Sequence, residues 1–370
     1  MGEIEMQGLE KKYPLLELRL DKLSHNIRET VKRCQARGIQ VAGVVKVFNG
    51  IPEALRLYEG SGCAHMASSR LEHFEEALAA GCRGPFMAIR IPMLSELPDL
   101  VRLADYSLQS DMQVIEATEA ECARQGKTHK VILMMDLGDL REGFWEKEEL
   151  IRAAVKIETA FRYVKLAGVG TNLGCYGSIK ATPEKMRELT AVAEAVEAQI
   201  GRKLEIVSGG GTSSFPMVLD GTMPPGINHL RIGEAITVAY DLPVLYGIDT
   251  GFLHQDAFVL KAEIVELRTK ASYPVGEISY DAFGCKPEYT DRGFRRRAVM
   301  AVGKVDFALW DHLLPVLPGI TPLGASSDHL LLDVEDCRED LKVGDVLEFR
   351  LRYGPLAYLS ASRYVRVSCI

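Results

Sequence analysis

Five small or branched apolar residues, Val41-Ala-Gly-Val-Val45, run without a charge and stop at Lys46. Such a run suits a strand covered on both faces, where polar alternation is lost. Earlier, Leu15-Leu-Glu-Leu-Arg-Leu20 alternates apolar and polar and predicts a half-exposed strand. Asp21 reads as the cap of a helix from Lys22 to about Ala36. The pattern then predicts strand 40–46, helix 51–60, strand 63–68, helix 70–80, strand 85–90, helix 94–103, a weak strand 105–109 and helix 112–124. Strand 130–137, helix 147–160, strand 164–171, helix 182–199, strand 204–208, a short helix 213–220 and strand 229–232 follow. Leaving out the first strand, eight strands with helices between them predict an α/β chain folded as a (β/α)8 TIM barrel. A doubly wound open sheet is the alternative, but the glycine-rich loop expected after its first strand is missing.

After about Tyr246 the rhythm changes. Phe258–Leu267, Arg297–Val302, Leu330–Val334 and Val346–Leu351 are strand-like, separated by glycines and prolines with no long amphipathic helix between them. The expected organisation is a barrel over 13–245 and a C-terminal all-β domain over 246–370, with the first strand, about 13–21, a candidate to pack with the latter.

Composition narrows the class. The chain has 370 residues, 47% hydrophobic and 26% charged, as ordinary globular proteins do. A formal net charge of -7 argues against nucleic acid and anionic membranes as partners. Arg295-Arg-Arg297 reads as a solvated edge or a salt-bridged surface. The N-terminal Met1–Gly8 is polar and acidic, without a signal-peptide core, and no stretch is long enough to span a bilayer. Eight cysteines without a C-x-x-C pair indicate reduced thiols in the cytoplasm and no metal site, with Cys175 and Cys285 as packing residues.

Candidate chemistry starts at Lys46. Side chains at the C-terminal ends of barrel strands face the active site, and a lysine there loses its charge by desolvation to become a nucleophilic amine. The plainer reading is a lysine leaving its strand into water. Ile206-Val-Ser-Gly-Gly-Gly-Thr-Ser-Ser214 follows the seventh barrel strand. Its glycine amides, with the hydroxyls of Thr212, Ser213 and Ser214, form a candidate phosphate cup, the alternative being a flexible turn. In Leu230-Arg-Ile-Gly-Glu234, Gly233 offers a further amide and Arg231 reaches toward the barrel mouth. A lysine opposite a phosphate cup suggests pyridoxal 5'-phosphate.

Met134-Met-Asp-Leu-Gly-Asp-Leu-Arg141, Thr171-Asn-Leu173 and Ser326-Ser-Asp-His-Leu-Leu-Leu-Asp333 complete a set of five motifs in order. Over about residues 13–366 the chain resembles a fold-type III pyridoxal-phosphate enzyme of the alanine racemase family, more narrowly the amino acid racemase branch that contains ornithine racemase. The resemblance implies that Lys46 is the Schiff-base lysine and that Arg141 steadies the cofactor and substrate. It implies that Asn172 backs the cofactor where the family has histidine, and that Ser208, Gly210, Gly211, Thr212, Ser213, Gly233 and Glu234 belong to the phosphate side. Arg231 would face the pyridine nitrogen. Unlike the glutamate of decarboxylases of this fold, it leaves that nitrogen neutral, and a weaker electron sink suits racemisation. Ser327 and Asp328 would line the substrate pocket, in a head-to-tail homodimer whose sites borrow the partner's β domain.

Three departures from the family stand out. Lys304 occupies the place of the tyrosine that acts as second base, which leaves Tyr280 as first candidate, then Lys304, Cys285 and Tyr289. Met134 stands for a modified lysine and Gly50 for a phosphate-binding tyrosine, while Tyr364 resembles the family's other phosphate tyrosine. The expected activity is amino acid racemisation, of ornithine first and lysine second. The alternatives are a decarboxylase of the same fold and a non-catalytic cofactor carrier. A cationic substrate needs a carboxylate, and Asp139, Asp281, Asp306 and Asp328 are the candidates.

Overall fold

A computed structural model describes residues 12–370; the polar segment Met1–Gly8 lies outside them. The chain divides into two compact units: Leu20–His254, and Gln255–Ile370 together with the described residues up to Arg19. The division thus falls at 254/255 rather than 245/246. His254 stays with the first unit because Asn26 holds its backbone on both sides. Asn26 Nδ2 donates to His254 O at 2.8 Å, and His254 N donates to Asn26 Oδ1 at 2.8 Å.

Strand β1 (Leu15–Leu18) opens the chain. The first unit is then a closed barrel of eight parallel strands: β2 (Gln40–Val44), β3 (His65–Ser68), β4 (Phe86–Ala88), β5 (Tyr106–Gln109), β6 (His129–Met134), β7 (Val164–Gly170), β8 (Ile206–Ser208) and β9 (His229–Ile232). β9 closes it onto β2, with Ala42 opposite Arg231. Inside, Ala42, Val44, Ala67, Met87, Leu108, Ile132, Met134, Ala167 and Ile206 form one buried cluster. Outside, Val131, Leu133, Val169 and Val207 pack on the apolar faces of helices Lys147–Ala160 and Pro183–Ile200. Burial on both faces explains the uninterrupted apolar runs of the sequence.

Among the local boundaries that differ from expectation, two bear on residues singled out in the sequence. The first helix begins at Leu20, so Asp21 lies in its first turn, where its charge favours the positive helix end without capping it. β2 stops at Val44, and Lys46 opens a single 3-10 turn, Lys46–Phe48, which Asn49 ends in the left-handed region at φ 48.

The second unit is an eight-stranded sheet. It contains β10 (Phe258–Ala271), β11 (Phe294–Met300), β12 (Leu313–Pro315), β13 (Thr321–Ala325), β14 (Leu330–Asp333), β15 (Val346–Leu351) and β16 (Arg366–Cys369), with β1 as the eighth strand. β1 pairs antiparallel with β10 and parallel with β16. It is mostly buried rather than half-exposed, because the carboxylate of Glu17 is neutralised by Arg19 at 3.1 Å and Lys261 at 2.7 Å. The unit is not purely β: helices Lys304–Phe307 and Tyr353–Leu359 are too short to show as amphipathic periods. The Arg295–Arg297 run is a salt-bridged surface, with Arg295 on Asp333 at 2.9 Å and on Asp336 at 2.6 Å.

Candidate active site

Parallel strands all end on one side of a barrel, so the loops after β2, β6, β7, β8 and β9 share one mouth. They bring Lys46, Arg141, Asn172, the Gly209–Ser214 loop and Arg231–Glu234 to that side. Solvent reaches Lys46, yet protein walls surround its amine. Its pKa is lowered, first by this desolvation and then by the charges of Arg141 and Arg231. The amine makes no ion pair among the described residues. More of an amine held in this way is unprotonated near neutral pH, and so available to attack or to take a proton, than in an ordinary lysine.

Arg231 is 6% exposed and held at two points. Its Nη1 donates to Ser208 Oγ at 2.5 Å and its Nη2 to Thr171 O at 2.8 Å. Burial pushes its pKa down to about 10, which leaves it cationic at neutral pH. Ser208, expected on the phosphate side, thus bonds the arginine instead.

The glycine loop lies directly on β9: a Cβ at Gly211 would sit 2.9 Å from the Arg231 carbonyl oxygen. Gly210 has φ +104, a conformation other residues rarely adopt. Its hydroxyls are less available than the sequence suggested. Ser213 Oγ donates to Leu173 O at 2.8 Å, Ser214 Oγ to Gly209 O at 2.6 Å, and Thr212 Oγ1 accepts from Ala235 N at 3.4 Å. The amides of Gly210, Gly211, Thr212, Ser213 and Gly233 donate to no described residue. Converging unpaired amides on a loop without side-chain bulk fit a phosphate group. Glu234 turns away, its Oε1 accepting from Tyr240 N at 2.8 Å and Asp241 N at 2.9 Å, so only its backbone faces the loop.

Arg141 is clamped between two groups. Its Nε and Nη2 donate to Glu142. With the Asn172 amide turned so that both partners are satisfied, Asn172 Oδ1 accepts from Nη2 at 3.1 Å and Nη1 at 3.2 Å. The sequence reading missed Glu142, although its position beside Arg141 was a signal. Its charge is also felt at Lys46 and Arg231, so it offsets part of the positive charge of this mouth.

Asp139 is not a substrate acid. Its buried carboxylate accepts from the amides of Gly174 at 3.0 Å, Cys175 at 3.2 Å, Tyr176 at 3.0 Å and Ile179 at 3.1 Å, tying the loop after β7 to the loop after β6. Burial works to raise its pKa, but the four amides win and hold it below the ordinary value. A lowered folded pKa means stability present above the ordinary aspartate value of 3.8 and lost as pH falls through the folded value. We expect Asp139→Ala to cost roughly 2–4 kcal/mol, because buried amides lose their acceptor. Denaturant unfolding at neutral and acidic pH checks this. The loss should shrink in acid, and a variant as stable as the parent at neutral pH would contradict the role.

Most of the remaining candidates belong to the second unit. Tyr280, Tyr289, Cys285 and Tyr364 are exposed. Cys175, on the loop after β7, is exposed too, so neither Cys175 nor Cys285 is a packing residue. Lys304 Nζ pairs with Asp281 at 3.3 Å and lies over the Phe283 ring at 4.1 Å, which joins the short helix to the Tyr280–Cys285 loop. Asp306 is buried, accepting from Ser362 Oγ at 2.8 Å, and is removed from the substrate acids. Asp328 is exposed and accepts from Ser327 Oγ at 2.6 Å. Gly50 has φ +69, and a side chain there would meet the Glu76 carboxylate, so a tyrosine at this position would be strained and Glu76 would have to move.

Residues 18–241 match the model of the alanine racemase N-terminal domain. The chain is 39% identical over 353 residues to a lysine racemase of Thermotoga maritima, covering 95% of this chain and 97% of the relative. It is 36% identical over 356 residues to an ornithine racemase of Acetoanaerobium sticklandii, covering 95% and 98%. The fold matches a crystal structure from Streptomyces lavendulae described as an alanine racemase, with TM-score 0.74, 19% identity and 98% of both chains covered.

Proposed function

The chain belongs to the alanine racemase family and is an amino acid racemase, and from that premise we propose that it is a pyridoxal-5'-phosphate-dependent ornithine racemase. The observation that carries the cofactor assignment is the meeting of a desolvated lysine, a buried arginine and a cup of free amides at one barrel mouth. When bound, the cofactor supplies an electron-withdrawing ring that stabilises negative charge at Cα. Lys46 holds its aldehyde, and the amine, once released, moves a proton on one face of Cα. Gly210–Ser213 and Gly233 hold the phosphate through backbone N–H groups. Arg231 directs an N–H at the ring nitrogen without surrendering its proton. Arg141, oriented by Glu142 and Asn172, steadies the cofactor and the substrate carboxylate. Tyr280 is our choice for the base on the opposite face, ahead of Lys304, Cys285 and Tyr289. Lys304 is less suited because Asp281 and the Phe283 ring already engage its ammonium.

The active form is a head-to-tail homodimer in which Tyr280, Ser327 and Asp328 serve the partner's barrel; the exposure of Tyr280 and Asp328 in a single chain supports this. All eight cysteines are free thiols, in keeping with a cytoplasmic enzyme. No helix among the described residues is long and apolar enough to cross a membrane.

Both relatives' names point to a diamino acid, and a buried ammonium needs a carboxylate partner. Asp139, Asp281 and Asp306 being engaged elsewhere, Asp328 is the acid we assign to the substrate side chain. We expect kcat/KM to rank ornithine above lysine and both well above alanine, with Asp328→Asn lowering ornithine turnover by about tenfold or more. Chirally resolved assays with carbon dioxide monitored decide the matter. Alanine as best substrate would refute the specificity, an unaltered ornithine preference in the variant would remove Asp328, and released carbon dioxide would favour a decarboxylase.

A further inference from the structure

Arg231 stands at the head of a buried hydrogen-bonded chain that runs down the inside of the barrel. Its Nη1 donates to Ser208 Oγ at 2.5 Å, and Ser208 Oγ lies 2.9 Å from His229 Nδ1. His229 Nε2 lies 3.3 Å from His65 Nδ1. Arginine has no acceptor, so Ser208 Oγ must accept from it, and the serine's own proton then goes to His229 Nδ1. His229 therefore carries its proton on Nε2 and donates it to His65 Nδ1, which leaves the proton of His65 on Nε2. This direction satisfies Arg231 Nη1, Ser208 and both ring nitrogens of His229. If His229 Nδ1 carried the proton, the Ser208 hydroxyl would have no acceptor among the described residues.

The surroundings keep both histidines neutral. His229 is fully buried; its pKa is pushed well below the ordinary value by burial and then by His65 and Arg231. His65 is pushed down to about 4 by burial, with Lys130 also lowering it and Glu205 opposing. Beyond His65 the hydrogen-bonded chain gives way to a ring contact: Tyr106 packs edge-on to it at 4.6 Å, donates to Glu205 at 2.8 Å and is bonded, like Glu205, by Lys130.

We propose that Ser208, His229 and His65 are positioning residues for Arg231: their one-way chain of hydrogen bonds locks the guanidinium in a single orientation and fixes which of its N–H bonds remain for the ligand. Two of the five N–H donors go to Ser208 and Thr171, and the other three are left to the barrel mouth. The role of this chain in catalysis rests on the cofactor reading above; the proton order within it does not.

The test therefore has two arms. In the whole protein labelled with 15N-histidine, with and without pyridoxal phosphate, His229 and His65 should both read as neutral Nε2–H tautomers, unchanged from about pH 6 to about pH 8. Loss of a signal in His229→Asn and in His65→Asn assigns the two. In the holoenzyme, His229→Leu should lower kcat roughly ten- to a hundredfold with KM little changed, and shift the bound-cofactor absorption band. His229→Asn, whose amide oxygen replaces Nδ1 as acceptor, should recover most of both. An Nδ1–H or protonated His229 overturns the proposal. So does a Leu variant with unaltered kcat and band, or an Asn variant no better than Leu. Should the Leu variant not fold, the tautomers of the unsubstituted protein decide. Absence of any cofactor band in the parent would instead overturn the cofactor reading and leave the tautomer result standing.

Discussion

Lys46→Ala should abolish racemisation, lowering turnover at least about 10⁴-fold, and should remove the adduct that borohydride traps on the parent enzyme. On the proposed function two roles disappear together: the amine that holds the cofactor and the base on one face of Cα. The fold should be untouched, because the Lys46 side chain makes no ion pair among the described residues, and stability should change by less than about 0.5 kcal/mol. That contrast separates a chemical role from a structural one. Mass spectrometry of the reduced adduct locates the modified residue. An adduct on any other lysine, or a variant that still racemises, would sink the assignment.

Arg231→Glu should keep the cofactor yet racemise at least roughly a hundredfold more slowly, with transamination emerging as a side reaction. The phosphate amides and Lys46 are untouched by the exchange, so binding survives. What changes is the charge beside the ring. A glutamate lets the ring nitrogen keep a proton, which strengthens the electron sink and prolongs the carbanion. The exchange also removes the donor to Thr171 O and sets a carboxylate against that carbonyl. A stability loss of about 2–3 kcal/mol should accompany it. Chiral product analysis and keto-acid detection on the same sample measure both outcomes. Racemisation at the parental rate would show that Arg231 does not face the ring nitrogen.

Much of the architecture was legible in the one-dimensional pattern, and the reason is local. Strands buried on both faces show as apolar runs and helices as 3.6-residue periods, so the eight-strand rhythm of 40–232 could be read directly. Lys46, the Gly209–Ser214 loop and Arg231 were legible because each falls at or just past a strand end, where a parallel barrel gathers its chemistry. Short elements carry too few residues to show a period, which is why Lys304–Phe307, Leu313–Pro315 and Thr321–Ala325 went unread.

Side-chain commitments were another matter. From the chain alone, Asp139 looked like any carboxylate near the mouth, and Ser213 like a phosphate donor. Only the folded loops bring four amides to the first and the Leu173 carbonyl to the second. Ser208, His229 and His65 lie far apart in sequence and meet only because β8, β9 and β3 turn them into one barrel interior. The sequence by itself determined most of the elements and the barrel, and it marked the candidate groups at the strand ends, since these depend on local period and residue chemistry. Tertiary structure alone decided which polar groups are already engaged with one another and which remain free for a ligand, because hydrogen bonds across the barrel depend on distances that no local pattern encodes.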